Sequence, residues 1–243
     1  MMQSQCGHAP KAAVMLFLAL VSAPSAQLAD WRWEHLLVDS SRSGHAFGLV
    51  VGDLTGDSYP EIASGRYVYR NPGQDIGAPW SRATIPANID VVAVLDIDDD
   101  SRGDLFAVNC DGAYWCEASA ADASAWEVQP VSDVYACDHS MSTQGYTTGQ
   151  IVPGGRPEIL IATHHSGVVC FTVPDDPSAT PWPSVTVENS YSEGLALGDI
   201  DGDGDLDLCG GGTGSAAQAW WAENPGDLSR TPWQRHDVGA LDG

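Results

Sequence analysis

One acidic loop recurs four times along the chain, and that periodicity limits the folds open to it more than any other feature. The four copies run Gly52–Ile62, Leu95–Leu105, Gly149–Ile159 and Gly198–Leu208. With Asp53, Asp96, Gln150 and Asp199 as equivalent first positions, the spacings are 43, 54 and 49 residues. Roughly 40–50 residues is the length of one four-stranded propeller blade. Each loop follows a short apolar run, such as Phe47–Val51 or Leu195–Leu197. Each precedes an aromatic strand at Tyr67–Tyr69, Tyr114–Trp115, Val168–Phe171 or Trp220–Trp221, and a last strand led by Trp80, Trp126, Trp182 or Trp233. Four short strands per repeat, with 26 glycines and 15 prolines for the turns, predict an all-β fold. The expected architecture is a β-propeller of about four recognisable four-stranded blades, with repeats at about 46–86, 91–131, 145–187 and 195–238 inside a domain covering 31–243.

Residues Trp33–Val38 resemble the last strand of a blade, yet the fourth repeat already owns Trp233–Val238. The orphan strand therefore reads as part of a C-terminally truncated, larger propeller. A compact four-bladed ring with a spare edge strand is the alternative. Recurrence of Trp80, Trp126, Trp182 and Trp233 at one position assigns them to packing between blades; Trp115, Trp220 and Trp221 are the better candidates for exposed edges, with packing the default even there.

The loops carry chemistry as well as period. Asp199, Asp201, Asp203 and Asp207 stand at positions 1, 3, 5 and 9, and Asp96, Asp98, Asp100 and Asp104 repeat that spacing. Carboxylates so placed in a tight loop converge on one hard cation, and Ca²⁺ accepts six to eight oxygens in a flexible shell. Gly202 and Gly204 permit the positive φ such a turn needs. The first loop keeps Asp53, Asp57 and Glu61 but has Thr55 at position 3. The third has Gln150, Val152 and Gly154 and retains only Glu158, so it is expected to be metal-free. An EF-hand is excluded, because its twelfth position requires a bidentate Glu and counting from Asp199 reaches Gly210.

Lys11, the apolar run Ala12–Val21 and the small residues Ser22–Ala26 have the order of a secretory signal peptide, assigned to residues 1–26. That run is too short to span a bilayer, and no later stretch is apolar enough. The mature chain is expected to be secreted, periplasmic or at the cell surface. Lys11 is the only lysine, which leaves nine arginines against 33 acids within a net charge of −23. Such a surface cannot replace the counterions of DNA or RNA, so nucleic-acid binding is excluded. Of the cysteines beyond the leader, Cys110, Cys116, Cys137, Cys170 and Cys209, no spacing matches a zinc site. The odd count leaves at least one thiol free or intermolecular, and Cys110 with Cys116 is a possible bridge across a hairpin.

The loops Gly52–Ile62 and Gly198–Leu208, with the turns Arg70-Asn71-Pro72-Gly73 and Glu223-Asn224-Pro225-Gly226 ahead of a Trp-led strand, resemble FG-GAP or VCBS-type repeats. That resemblance implies a propeller with calcium in its loops, of the kind found in integrin-type adhesion proteins and secreted polysaccharide-active proteins. It leads to a calcium-binding scaffold that recognises an extracellular glycan or protein. A second reading starts from His139 and Tyr146, which precede the metal-free loop, and from His164 and His165, which follow its next strand. With an arginine such as Arg66, and His45 at a comparable place, these residue types suit β-elimination on a uronic acid: one side chain removes the C5 proton, another protonates the leaving oxygen, and the arginine neutralises the carboxylate. Ulvan lyases, secreted propellers that this chain distantly resembles, use His and Tyr in that way.

Overall fold

The computed structural model describes residues 34–42, 48–134, 143–163, 166–190, 192–212 and 218–240. The described residues contain sixteen strands and no helix. The first sheet is β1 (Leu49–Gly52), β2 (Glu61–Ser64), β3 (Tyr67–Arg70) and β4 (Ser81–Thr84). The second is β5 (Asp90–Leu95), β6 (Asp104–Asn109), β7 (Gly112–Ala118) and β8 (Trp126–Ser132). The third is β9 (Tyr146–Gly149), β10 (Glu158–Thr163), β11 (Gly167–Phe171) and β12 (Ser184–Glu188). The fourth is β13 (Gly194–Gly198), β14 (Asp207–Gly211), β15 (Gln218–Glu223) and β16 (Gln234–Ala240). Every sheet is antiparallel with strands in chain order, so each repeat of the sequence folds as one meander. The sequence segment Glu34–Val38 does not form the strand expected of it. Asp39 and Arg42 instead tie the segment that follows to side chains of the first sheet: Tyr69 and Arg82 donate to the Asp39 carboxylate at 3.0 and 2.7 Å, and Arg42 donates to Ser64 Oγ at 2.8 Å.

Sheets of this size have little core of their own, and the apolar residues bury themselves between sheets. Leu54, Val68, Ile85, Leu105, Cys116 and Trp126 form the layer shared by the first two sheets. Phe106, Ile159, Phe171 and Trp182 fill the next, where Phe106 lies 5.3 Å from Phe171 and 5.9 Å from Trp182. Leu160, Val187, Leu208, Trp220 and Trp233 fill the third. Successive sheets meet along their first strands, β1 against β5, β5 against β9 and β9 against β13.

Trp126, Trp182 and Trp233 are buried, as the repeat position requires, and Trp80 is half-buried. Trp115 and Trp220 follow the packing default and are buried rather than edge-exposed. Their strands are second from the outside of a sheet, and the neighbouring sheet covers the face they use. Trp220 lies over Gly210, where an added Cβ would sit 2.3 Å from its ring. The hairpin bridge is also corrected. Cys116 is a free, buried thiol that burial pushes up to about 12, paired in register with Leu105 and well up the ladder from the turn holding Cys110. Cys110 is disulfide-bonded, with none of the described cysteines as its partner.

Because the Trp220 ring occupies the space of a missing side chain, Gly210→Ala should lower stability by about 1–3 kcal/mol in urea unfolding. An unchanged midpoint would mean that the ring repacks freely.

Candidate metal centres

All four loops share one hydrogen bond. The acid at position 9 is buried and accepts the backbone N–H of the residue at position 2. The pairs are Glu61 with Leu54 at 2.9 Å, Asp104 with Ile97 at 3.0 Å, Glu158 with Ile151 at 2.8 Å and Asp207 with Ile200 at 2.9 Å. The sequence placed these acids among the cation ligands, or left Glu158 as a relic. Their shared role is to fold the loop back onto its own strand. In the first and fourth repeats the other carboxylate oxygen accepts the N–H of Asn71 or Asn224. Those asparagines open the two Asn-Pro-Gly turns and accept from Gly73 and Gly226. Asn224 also donates to the carbonyl of Ile151 in the preceding repeat.

In two loops this clamp is joined by further acids. Carboxylate oxygens of Asp96, Asp98 and Asp104 lie within 4.8 Å of one another, and so do those of Asp199, Asp201 and Asp207. Like charges held so close raise one another's proton affinity unless a cation neutralises them. Burial, then Asp98 and Asp100, push Asp104 from 3.8 up to about 7, against the Ile97 N–H that favours its charged form. Asp201 is raised by desolvation and by Asp203, Asp207 and Glu223. Asp205, which the spacing did not single out, is raised by burial and by its four acidic neighbours, and its Oδ1 is buried with no partner. An all-oxygen donor set of this kind suits a hard cation. The turn that brings the acids together uses φ of +83° at Gly202 and +100° at Gly204.

The other predicted ligands are placed differently. Asp100 is turned towards Arg102, which donates to it through Nε at 2.7 Å, and Asp203 accepts from the Asp205 N–H. In the first loop, burial would raise Asp53, but N–H groups of Ser58, Gly56 and Thr55 outweigh it and hold the carboxyl below its ordinary value. Asp57 accepts from Tyr59, so Asp53, Asp57 and Glu61 form no cluster among the described residues. The third loop holds no acid at positions 1, 3 or 5. The Gln150 amide donates to the carbonyls of Val152 and Gly154, the latter at 2.9 Å.

Of the candidate catalytic residues, His139, His164 and His165 lie outside the described residues, as does His45. Tyr146 is described: its hydroxyl accepts the N–H of Leu49 at 3.2 Å, joining β9 to β1. Arg66 donates to the carbonyl of Ile85.

No family model matches the chain, and no curated protein matches it. Among solved structures, it is similar to a lectin of Agrocybe aegerita described as recognising non-reducing terminal N-acetylglucosamine. The identity is 14% and the TM-score 0.49, over 77% of this chain and 50% of that one. The chain thus spans about half the length of that structure.

Two outcomes follow from the loop geometry. A carboxyl raised in the folded state favours the fold while protonated and loses that contribution as pH rises through its folded value. Without added divalent cation, the melting temperature should therefore fall between pH 3.8 and about 7, and Asp104→Asn should flatten that fall. Equal slopes in both proteins would remove Asp104 as its source. Gln150→Ala should destabilise the third loop by about 1 kcal/mol equally with calcium or with chelator, since an amide does the holding there. A loss confined to chelator would contradict that role.

Proposed function

We propose that this chain is an extracytoplasmic, calcium-stabilised β-propeller module of the FG-GAP/VCBS type, a scaffold that binds an extracellular glycan or protein. The observation that carries the proposal is the convergence of Asp96, Asp98 and Asp104, and of Asp199, Asp201 and Asp207, on the second and fourth copies of one repeated loop. Those six carboxylates would hold the ions, with backbone carbonyls and water completing each shell. Calcium there supplies fixed positive charge, which removes the mutual repulsion of the acids and locks the loop; the role is structural. Four meanders stacked in chain order, with first strands adjacent, support the propeller reading. The Cys110 disulfide fits an oxidising compartment. No helix among the described residues is long and apolar enough to cross a membrane. With a net charge of −23, neutral glycans and basic or neutral protein surfaces suit the module better than polyanions.

The test is thermal unfolding in calcium, in magnesium and in chelator. A site filled to about a hundred times its dissociation constant adds about 2.7 kcal/mol, so calcium should raise the melting temperature and chelator should reverse it. Asp98→Asn combined with Asp201→Asn should abolish the response, while Asp57→Asn in the first loop should leave it intact. A melt indifferent to calcium would sink the proposal.

A further inference from the structure

The third loop stands between the two loops whose acids converge, and one side chain ties it to each of them. Its tip has little to rest on. Gly154 and Gly155 take φ of +90° and +74°, and a Cβ added at either would meet nothing within 4 Å. Below the tip, Glu158 and Gln150 close the loop on itself.

On the side of the second repeat the tie is Arg156. Its Nη2 donates to the Asp99 carboxylate at 2.5 Å, and its Nη1 donates to the carbonyl of Pro174, in the turn between β11 and β12, at 2.9 Å. The Arg156 side chain is 16% exposed and that of Asp99 73%. An ion pair with one partner in water is worth little by itself. Here the other arm of the planar guanidinium is already fixed by Pro174, so little side-chain freedom is lost in making the pair. Asp99 has φ of +64° and follows directly on Asp98, a member of the second loop's cluster.

On the side of the fourth repeat the tie is Asn224, which is 3% exposed. Its Nδ2 donates to the carbonyl of Ile151, position 2 of the third loop, at 3.0 Å, and its backbone N–H donates to Asp207 at 2.9 Å. Asp207 belongs to the fourth loop's cluster. The third loop thus has a bonded route to each cluster, through Asp99 and Arg156 on one side and through Asn224 on the other. Like charges so close repel unless a cation lies between them, and both routes start at residues within that repulsion.

We infer that the third loop, which has no acid at positions 1, 3 or 5, is ordered by the cations of its neighbours: filling the second and fourth loops stiffens it through Arg156 and Asn224. The inference rests on the calcium reading of the two clusters.

Hydrogen–deuterium exchange of the full chain in calcium and in chelator tests this. The readout is the amides of residues 150–158, with those of the second and fourth loops as control. In the wild type calcium should slow exchange in all three loops, in the third by about fivefold, the lower end of ordinary coupling between sites. Arg156→Gln and Asp99→Asn each break the tie to the second loop, and asparagine accepts the positive φ at position 99. In both variants the second and fourth loops should keep their response to calcium while the gain in the third loop shrinks. Adding Asp201→Asn, which removes an acid of the fourth cluster, should abolish what is left. A third loop indifferent to calcium while its neighbours respond would overturn the inference. So would a gain undiminished in Arg156→Gln combined with Asp201→Asn. Indifference of all three loops would count against calcium itself, and the inference would fall with it.

Discussion

A buried carboxylate holding a backbone N–H seven residues earlier fixes each acidic loop, and the rest of the structure is arranged around that bond. Glu61, Asp104, Glu158 and Asp207 are all at most 4% exposed. A carboxylate taken so far from water is tolerated only with donors directed at it, and the loop N–H groups are those donors. The bond closes the loop over the end of the sheet's second strand. In the first and fourth repeats the same acid also anchors the Asn-Pro-Gly turn. Loop, strand and turn thus share one buried group, and none can open without exposing or stranding it.

The clamp explains how the third loop keeps its shape without acids at positions 1, 3 and 5. Glu158 accepts from both Ile151 and Val152, and the Gln150 amide donates to the carbonyls of Val152 and Gly154. The converged acids are an addition to a loop already closed, found in the repeats where acids stand at positions 1 and 3 together. Where position 3 is Thr55, the oxygens of Asp53 go to N–H groups of their own loop instead.

Much of this was legible in the chain because the repeat is. Spacing of the loops, apolar runs and leading tryptophans located four four-stranded sheets and the between-sheet packing of Trp126, Trp182 and Trp233. The clamp left a signal that spacing alone did not decode: position 9 stays acidic in the third loop, where every other ligand position has changed. Asp205 was missed because nothing local shows that its oxygen is buried. Whether Trp115 and Trp220 kept exposed edges was not legible, since the face of a strand that a neighbouring sheet covers is decided by stacking, which strand alternation does not reveal. Cys110 and Cys116 are close in sequence, but the β6–β7 register sends Cys116 into the layer between the first two sheets. The described part of the expected strand, Glu34–Val38, is not a strand for a related reason. A resemblance in sequence to a last strand does not supply the sheet edge that such a strand requires.

Calcium stoichiometry measured by titration calorimetry is the most direct test. Two converged clusters predict two ions bound per chain, falling to one in Asp201→Asn and to one in Asp98→Asn. Four equal sites would contradict the distinction between competent and closed loops, and no binding at all would contradict calcium as the loops' partner.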